Sequence, residues 1–188
     1  MFYALRLTTM PLTPIHCSVA YLTNRWKPQL SLPPLLVSSM VSDLEIPVLF
    51  LMTGGLQTRL VLHSLLGIAT IGTFLSVLLT VFLYPPIVSF FFKLDKKRIE
   101  ERCRFSGTLV ISCIFGGLLH VFVDSMTHEF NPVLYPFVNE SFDAFRLTND
   151  WVSATLIVDS SLLALLIFFF VHEIRKGTKN LWMRMLVG

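Results

Sequence analysis

Four stretches of this chain are apolar for long enough to cross a bilayer, and that restricts its fold more than any other feature. Residues 33–53, 58–84, 105–126 and 151–172 each exceed the roughly 20 residues a transmembrane helix needs. Inside lipid, every backbone N–H and C=O must be paired within the structure, which leaves helices or a closed barrel. Runs of this length without strict alternation are helical. A composition of 54% hydrophobic and 14% charged residues does not describe a soluble domain. The expected fold is therefore an all-α polytopic membrane bundle, and 188 residues suffice for one domain.

Charge then orients it. Residues 93–104 carry six basic side chains against Asp95, Glu100 and Glu101, and the C-terminus adds Arg175, Lys176, Lys179 and Arg184. Segment 127–150 has Arg146 as its only basic residue, beside Glu129, Glu140, Asp143 and Asp150. This asymmetry places 93–104 and the C-terminus in the cytoplasm and 127–150 outside. The net charge of +3 is thus spent on orientation and gives no nucleic-acid signal. A shorter apolar segment starts at Thr13, a candidate N-cap, with Pro14 in the first helical position, and stops at Arg25, Trp26, Lys27 and Pro28. Counting it gives about five membrane segments with the N-terminus outside. Omitting it gives four, and leaves His16 on the wrong side. Residues 1–9 read as a dispensable tail before a single domain, 10–188, and show no secretory signal. Cys17, Cys103 and Cys113 are odd in number and lack paired spacing, so no disulfide framework is expected.

The ionisable residues within these apolar runs are the functional candidates, because burying them in lipid is costly. His120, Asp124 and His128 recur every four residues and span roughly 80° of one helix face. Two imidazoles flanking a carboxylate suit zinc or a similar divalent ion. His63 and His16 reach the same level under the five-segment topology. Asp43 lies deeper, where Pro47 cannot donate to its carbonyl and should kink the helix. A metal would resolve the cost of unpaired carboxylates in low dielectric, and no basic residue of the spans is evident to neutralise Asp124. Taken singly, each histidine reads equally as a packed, hydrogen-bonded residue. Glu45 and Glu129 are either partners that orient the histidines or solvated groups. Asp159 is a ligand, a proton-relay group or a helix-pairing residue. Arg59, a turn before His63, either meets a substrate phosphate or is an ordinary interfacial arginine. Gly67, Gly116 and Gly117 read as close-packing positions.

The order MPLTPIH, SDLE, LHSLLG and HVFVDSMTHEFNPVLYPF resembles the family of LexA-binding, inner-membrane-associated metal-dependent hydrolases. The likeness runs from Met10 to about Phe137, with Leu62 where the family's motif has Thr. It implies a prokaryotic inner-membrane location. More remotely, the order His, Asp, His, HxxxD, His is similar to zinc-dependent bacterial phospholipases C and fungal single-strand nucleases. That similarity implies one zinc on Asp43, His63, His120 and Asp124. Asp124 would bridge to a second ion held partly by His16, and His128 would belong to a further site. The later His-x-x-x-Asp/Glu pair of those enzymes is missing here.

The expected activity is hydrolysis of a phosphoester, phospholipid-like, at the outer membrane face, with membrane lipids as surroundings. One or two Zn²⁺ would activate water and stabilise phosphoryl charge, with Asp124 as bridging ligand and Asp43 as ligand or general base. Two readings compete. A metal or proton transporter would need polar groups continuing to the cytoplasmic side, where the inner halves of the spans are apolar. A non-catalytic scaffold would keep the metal as a structural element. Oligomeric state leaves no trace in the sequence.

Overall fold

The computed structural model describes residues 13–188, so the tail 1–9 lies outside the described residues. Every regular element among them is helical. A 3-10 turn, Thr13–His16, leads into α1 (Cys17–Trp26), followed by α2 (Leu32–Val41) and α3 (Glu45–Thr53). Then come α4 (Leu65–Phe92), α5 (Lys96–Arg102), α6 (Gly107–Asp124), α7 (Trp151–Arg175) and α8 (Leu181–Leu186). Among the described residues four helices are long and apolar enough to cross a membrane: Leu32–Thr53, α4, α6 and α7. The expected fifth segment is absent from that set. At ten residues α1 rises about 15 Å, half of a bilayer core. It packs instead against α2 and α7, through Ala20, Tyr21, Leu35, Leu36 and Phe169.

Three local features depart from the sequence pattern, each for a backbone reason. Beside Asp43 the helix does not break at Pro47 but tightens into a 3-10 turn, Ser42–Leu44, and continues as α3. Pro47 falls in the first turn of α3, where a missing N–H costs nothing. Pro85 and Pro86 do not end α4, because a wider π turn at Leu79–Leu83 precedes them and absorbs the lost donors. Helix α4 begins at Leu65 rather than 58. Gly54 and Gly55 adopt left-handed φ of 63° and 84° and reverse the chain, so that 57–64 folds back as an irregular strap.

Close contact between α2 and α6 organises the interior. A methyl group on Gly116 would run into Ser38 Oγ and lie 2.7 Å from the Leu35 carbonyl oxygen. One on Gly117 would strike Ile68 of α4. Small residues therefore bring three helices together, as membrane packing requires without a hydrophobic drive between helices. Large apolar side chains such as Phe90, Phe91 and Phe168 point outward, more than half exposed, which suits a lipid surface. Glu173 closes the end of the bundle remote from His16, His63, His120 and His128. Its buried carboxylate accepts from Arg25, from Lys176 Nζ at 2.9 Å and from Arg184 Nε at 2.8 Å, tying α1, α7 and α8 together.

Candidate metal centre

Three elements deliver the site. The 3-10 turn before α3 presents Asp43, the strap before α4 presents His63, and the last turn of α6 presents His120 and Asp124. One ligand atom from each of these four lies within 4.8 Å of all the others. The strap is held by Glu45. Its carboxylate accepts the N–H groups of Leu60, Val61 and Leu62 at 3.1, 2.6 and 3.0 Å, and approaches His63 Nδ1 at 3.0 Å. Glu45 is thus an orienting partner of His63 rather than a solvated group.

Hydrogen bonding fixes the tautomers. His63 Nδ1 must donate to the Glu45 carboxylate, which has no proton to give, and His120 Nδ1 must donate to the Ser39 carbonyl at 2.8 Å. In the neutral rings both Nε2 atoms are then bare lone pairs, and both face carboxylate oxygens. His63 Nε2 is 3.7 Å from Asp43 Oδ1 and 3.5 Å from Asp124 Oδ2, while His120 Nε2 is 3.5 and 3.4 Å from the same two atoms. Acceptors facing acceptors repel unless a cation lies among them. His63 Nε2, His120 Nε2, Asp43 Oδ2 and both Asp124 oxygens have no hydrogen-bond partner among the described residues. Ligands about 2.0–2.1 Å from a tetrahedral Zn²⁺ stand about 3.3–3.4 Å apart, close to these spacings. The donor set and its orphaned atoms fit a divalent ion.

The other expected ligands stand apart from this tetrad. His16, buried, has its Nε2 3.6 Å from Asp124 Oδ1, the carboxylate oxygen turned away from His63 and His120, and its ring lies 4.5 Å from that of His120. Neither His16 nitrogen is hydrogen-bonded. His128 lies just beyond the helix but stays beside Asp124, its backbone N–H donating to the Asp124 carbonyl at 3.2 Å. Helix α6 ends at Asp124, and the turn after it carries His128 Nδ1 to the Thr127 hydroxyl (2.7 Å) and the Asp124 carbonyl (3.1 Å), 4.0 Å from Asp124 Oδ1. Burial, then His120, pushes the His16 imidazole down to about 4. Burial, then Arg59, pushes His128 down to about 3. Both rings are neutral at physiological pH, the form that binds metals. Glu129 is exposed, and Asp159, half-buried on α7, makes no ion pair among the described residues.

One correction matters for the electrostatics. Asp124 does have a basic neighbour. Arg59 Nη1 lies 3.3 Å from Asp124 Oδ2, and the side chain is only 6% exposed. A helix starting at 58 would have put Arg59 at a membrane interface, whereas the strap folds it inward. The orienting carbonyl of Ser39 and the hydroxyl of Thr127 also had no sequence signal, since any residue supplies a carbonyl and threonine is common.

Comparison with known proteins adds one relationship. No curated protein and no solved structure matches the chain. The family model of the YdjM inner membrane protein matches residues 13–187, almost the full length, and this chain belongs to that inner-membrane family.

Proposed function

We propose that the chain is a membrane-embedded, metal-dependent hydrolase of phosphoesters, working at the outer face of the inner membrane. The observation that carries the reading is the facing of two imidazole Nε2 atoms and two carboxylates, where neither nitrogen nor either Asp124 oxygen has a hydrogen-bond partner among the described residues and Arg59 is the cation beside Asp124. Asp43, His63, His120 and Asp124 would hold the ion, zinc being the best match to two nitrogens and two oxygens. His16, on the far oxygen of Asp124, is placed to share in a second. When bound, the metal supplies Lewis acidity that polarises a phosphoryl oxygen and makes water nucleophilic near neutral pH.

The chain's own groups do the remaining work. Glu45 and the Ser39 carbonyl hold His63 and His120 in one tautomer and orientation, the support metal sites need. Asp43 is the least buried of the four, and its Oδ2 has no partner, so it can accept a proton from water. Apolar surroundings keep these interactions strong by excluding bulk water.

Transport by the same cluster is less well supported. Below the tetrad the buried polar side chains include Ser38, Ser76 and Ser112, whose hydroxyls bond to carbonyls of their own helices. They offer no second ionisable station before Glu173.

The test is turnover by the purified, zinc-loaded full chain in detergent, on a chromogenic phosphodiester and on phospholipid in mixed micelles. We expect metal-dependent hydrolysis, with Asp43→Asn slower by about 10²–10⁴-fold, the usual worth of a general base. Metal-loaded wild type that is inert on both substrates would leave the scaffold reading standing.

A further inference from the structure

Arg59 has hydrogen-bond donors that the fold does not use. Its side chain is 94% buried, Nη1 has no hydrogen-bond partner, and among the described residues the guanidinium donates no hydrogen bond. Its one ion-pair neighbour among the described residues, Asp124 Oδ2, also faces His63 Nε2 and His120 Nε2 and so belongs to the metal tetrad. Arginine cannot shed its proton, and it presents five N–H donors in a rigid fork. Leaving such donors unmet is costly for a buried group. The strap nonetheless holds Arg59 inward beside the tetrad, secured at Leu60, Val61 and Leu62 by Glu45.

The unmet donors of Arg59 show what would meet them. Asp43 and Asp124 cancel one divalent cation. Glu45 is satisfied by three backbone N–H groups and His63. Arg59 then offsets the charge of Glu45, so what the site leaves unmet is the donors of the guanidinium. We infer that Arg59 is the anion receptor of this centre and would bind the non-bridging oxygens of a singly charged phosphodiester beside the tetrad. The inference rests on the hydrolase reading for the phosphorus. A neutral ester or amide offers the fork a single carbonyl acceptor, whereas a phosphodiester offers two charged oxygens that match its geometry, so the fork favours anionic phosphoesters. Such an oxyanion can come from a lipid headgroup or from a soluble phosphodiester.

The experiment measures two quantities separately on the full chain in detergent, for wild type, Arg59→Lys and Arg59→Gln. One is zinc per chain. The other is affinity by calorimetry for inorganic phosphate and for mixed micelles containing phosphatidylglycerol. Losing charged hydrogen bonds predicts an affinity about 10–100-fold weaker in Arg59→Gln. Zinc content should be unchanged, and Arg59→Lys should fall between the two. Tighter binding of the lipid micelles places the anion in a headgroup, and tighter binding of phosphate places it in solution. Equal phosphate and lipid affinity in wild type and Arg59→Gln would overturn the inference, as would joint loss of zinc and anion binding. If wild type holds no zinc, the hydrolase reading fails. Arg59-dependent phosphate binding in that protein would still uphold the receptor, and its absence would remove it.

Discussion

The two imidazoles of the tetrad are fixed by what lies behind them. Glu45 forces the proton of His63 onto Nδ1, so Glu45→Gln, which can present its N–H₂ instead, should lower zinc affinity by about 10–100-fold. Competition with a chromogenic chelator reads this directly, and wild-type affinity would show that the strap alone positions His63. This residue-level detail was only partly legible. The spacing of His120 and Asp124 was visible because both lie within α6, where one turn separates them. His128 follows the same spacing, but the helix stops at Asp124, and periodicity does not show where a helix ends. Arg59 was obscured for the converse reason. An apolar run looks helical up to its edge, yet Gly54, Gly55 and the grip of Glu45 make 57–64 a strap.

Helices carry a different load at each end. At the end remote from the tetrad, one buried carboxylate, Glu173, holds three cations from α1, α7 and α8. Glu173→Gln should leave those cations partly unmatched. Their own exposure moderates the cost to about 1–3 kcal/mol, seen as a lower thermal midpoint. Zinc content should not change, since Glu173 is 18 residues, about 27 Å of helix, from Thr155, whose hydroxyl bonds Thr127 beside the site. Loss of zinc in this variant would mean the two ends are coupled. Between the ends, Gly116→Val should overpack the α2–α6 contact by about 1–3 kcal/mol or more, because the obstacles include the Leu35 backbone. The existence of the long helices was readable from apolar length alone. Their internal irregularities, the π turn before Pro85 and the 3-10 turn at Ser42–Leu44, arise from backbone pairing that composition does not encode.

For the molecule as a whole, four candidate spans leave both polar loops with a defined side. Residues 93–104, with six basic side chains, should face the cytoplasm, and 127–150 should face outward. Single cysteines at 98 and 143, in a background without Cys17, Cys103 and Cys113, should react with an impermeant maleimide only at 143. Labelling from outside at 98 alone would invert the bundle and place the tetrad toward the cytoplasm. Within that frame α6 is the helix on which everything converges. It packs on α2 through Gly116, meets α4 through Gly117, and ends in the carboxylate that faces His63, His120 and Arg59. The central claim is that Asp124 is a metal ligand and not merely the counter-ion of Arg59. The direct measurement is zinc per chain after purification in detergent without chelator, for wild type, Asp124→Asn, His120→Ala and Glu173→Gln. The account predicts about one ion per chain on the tetrad in wild type and Glu173→Gln, and loss in Asp124→Asn and His120→Ala with the helices still inserted. Wild-type zinc in both Asp124→Asn and His120→Ala would contradict it.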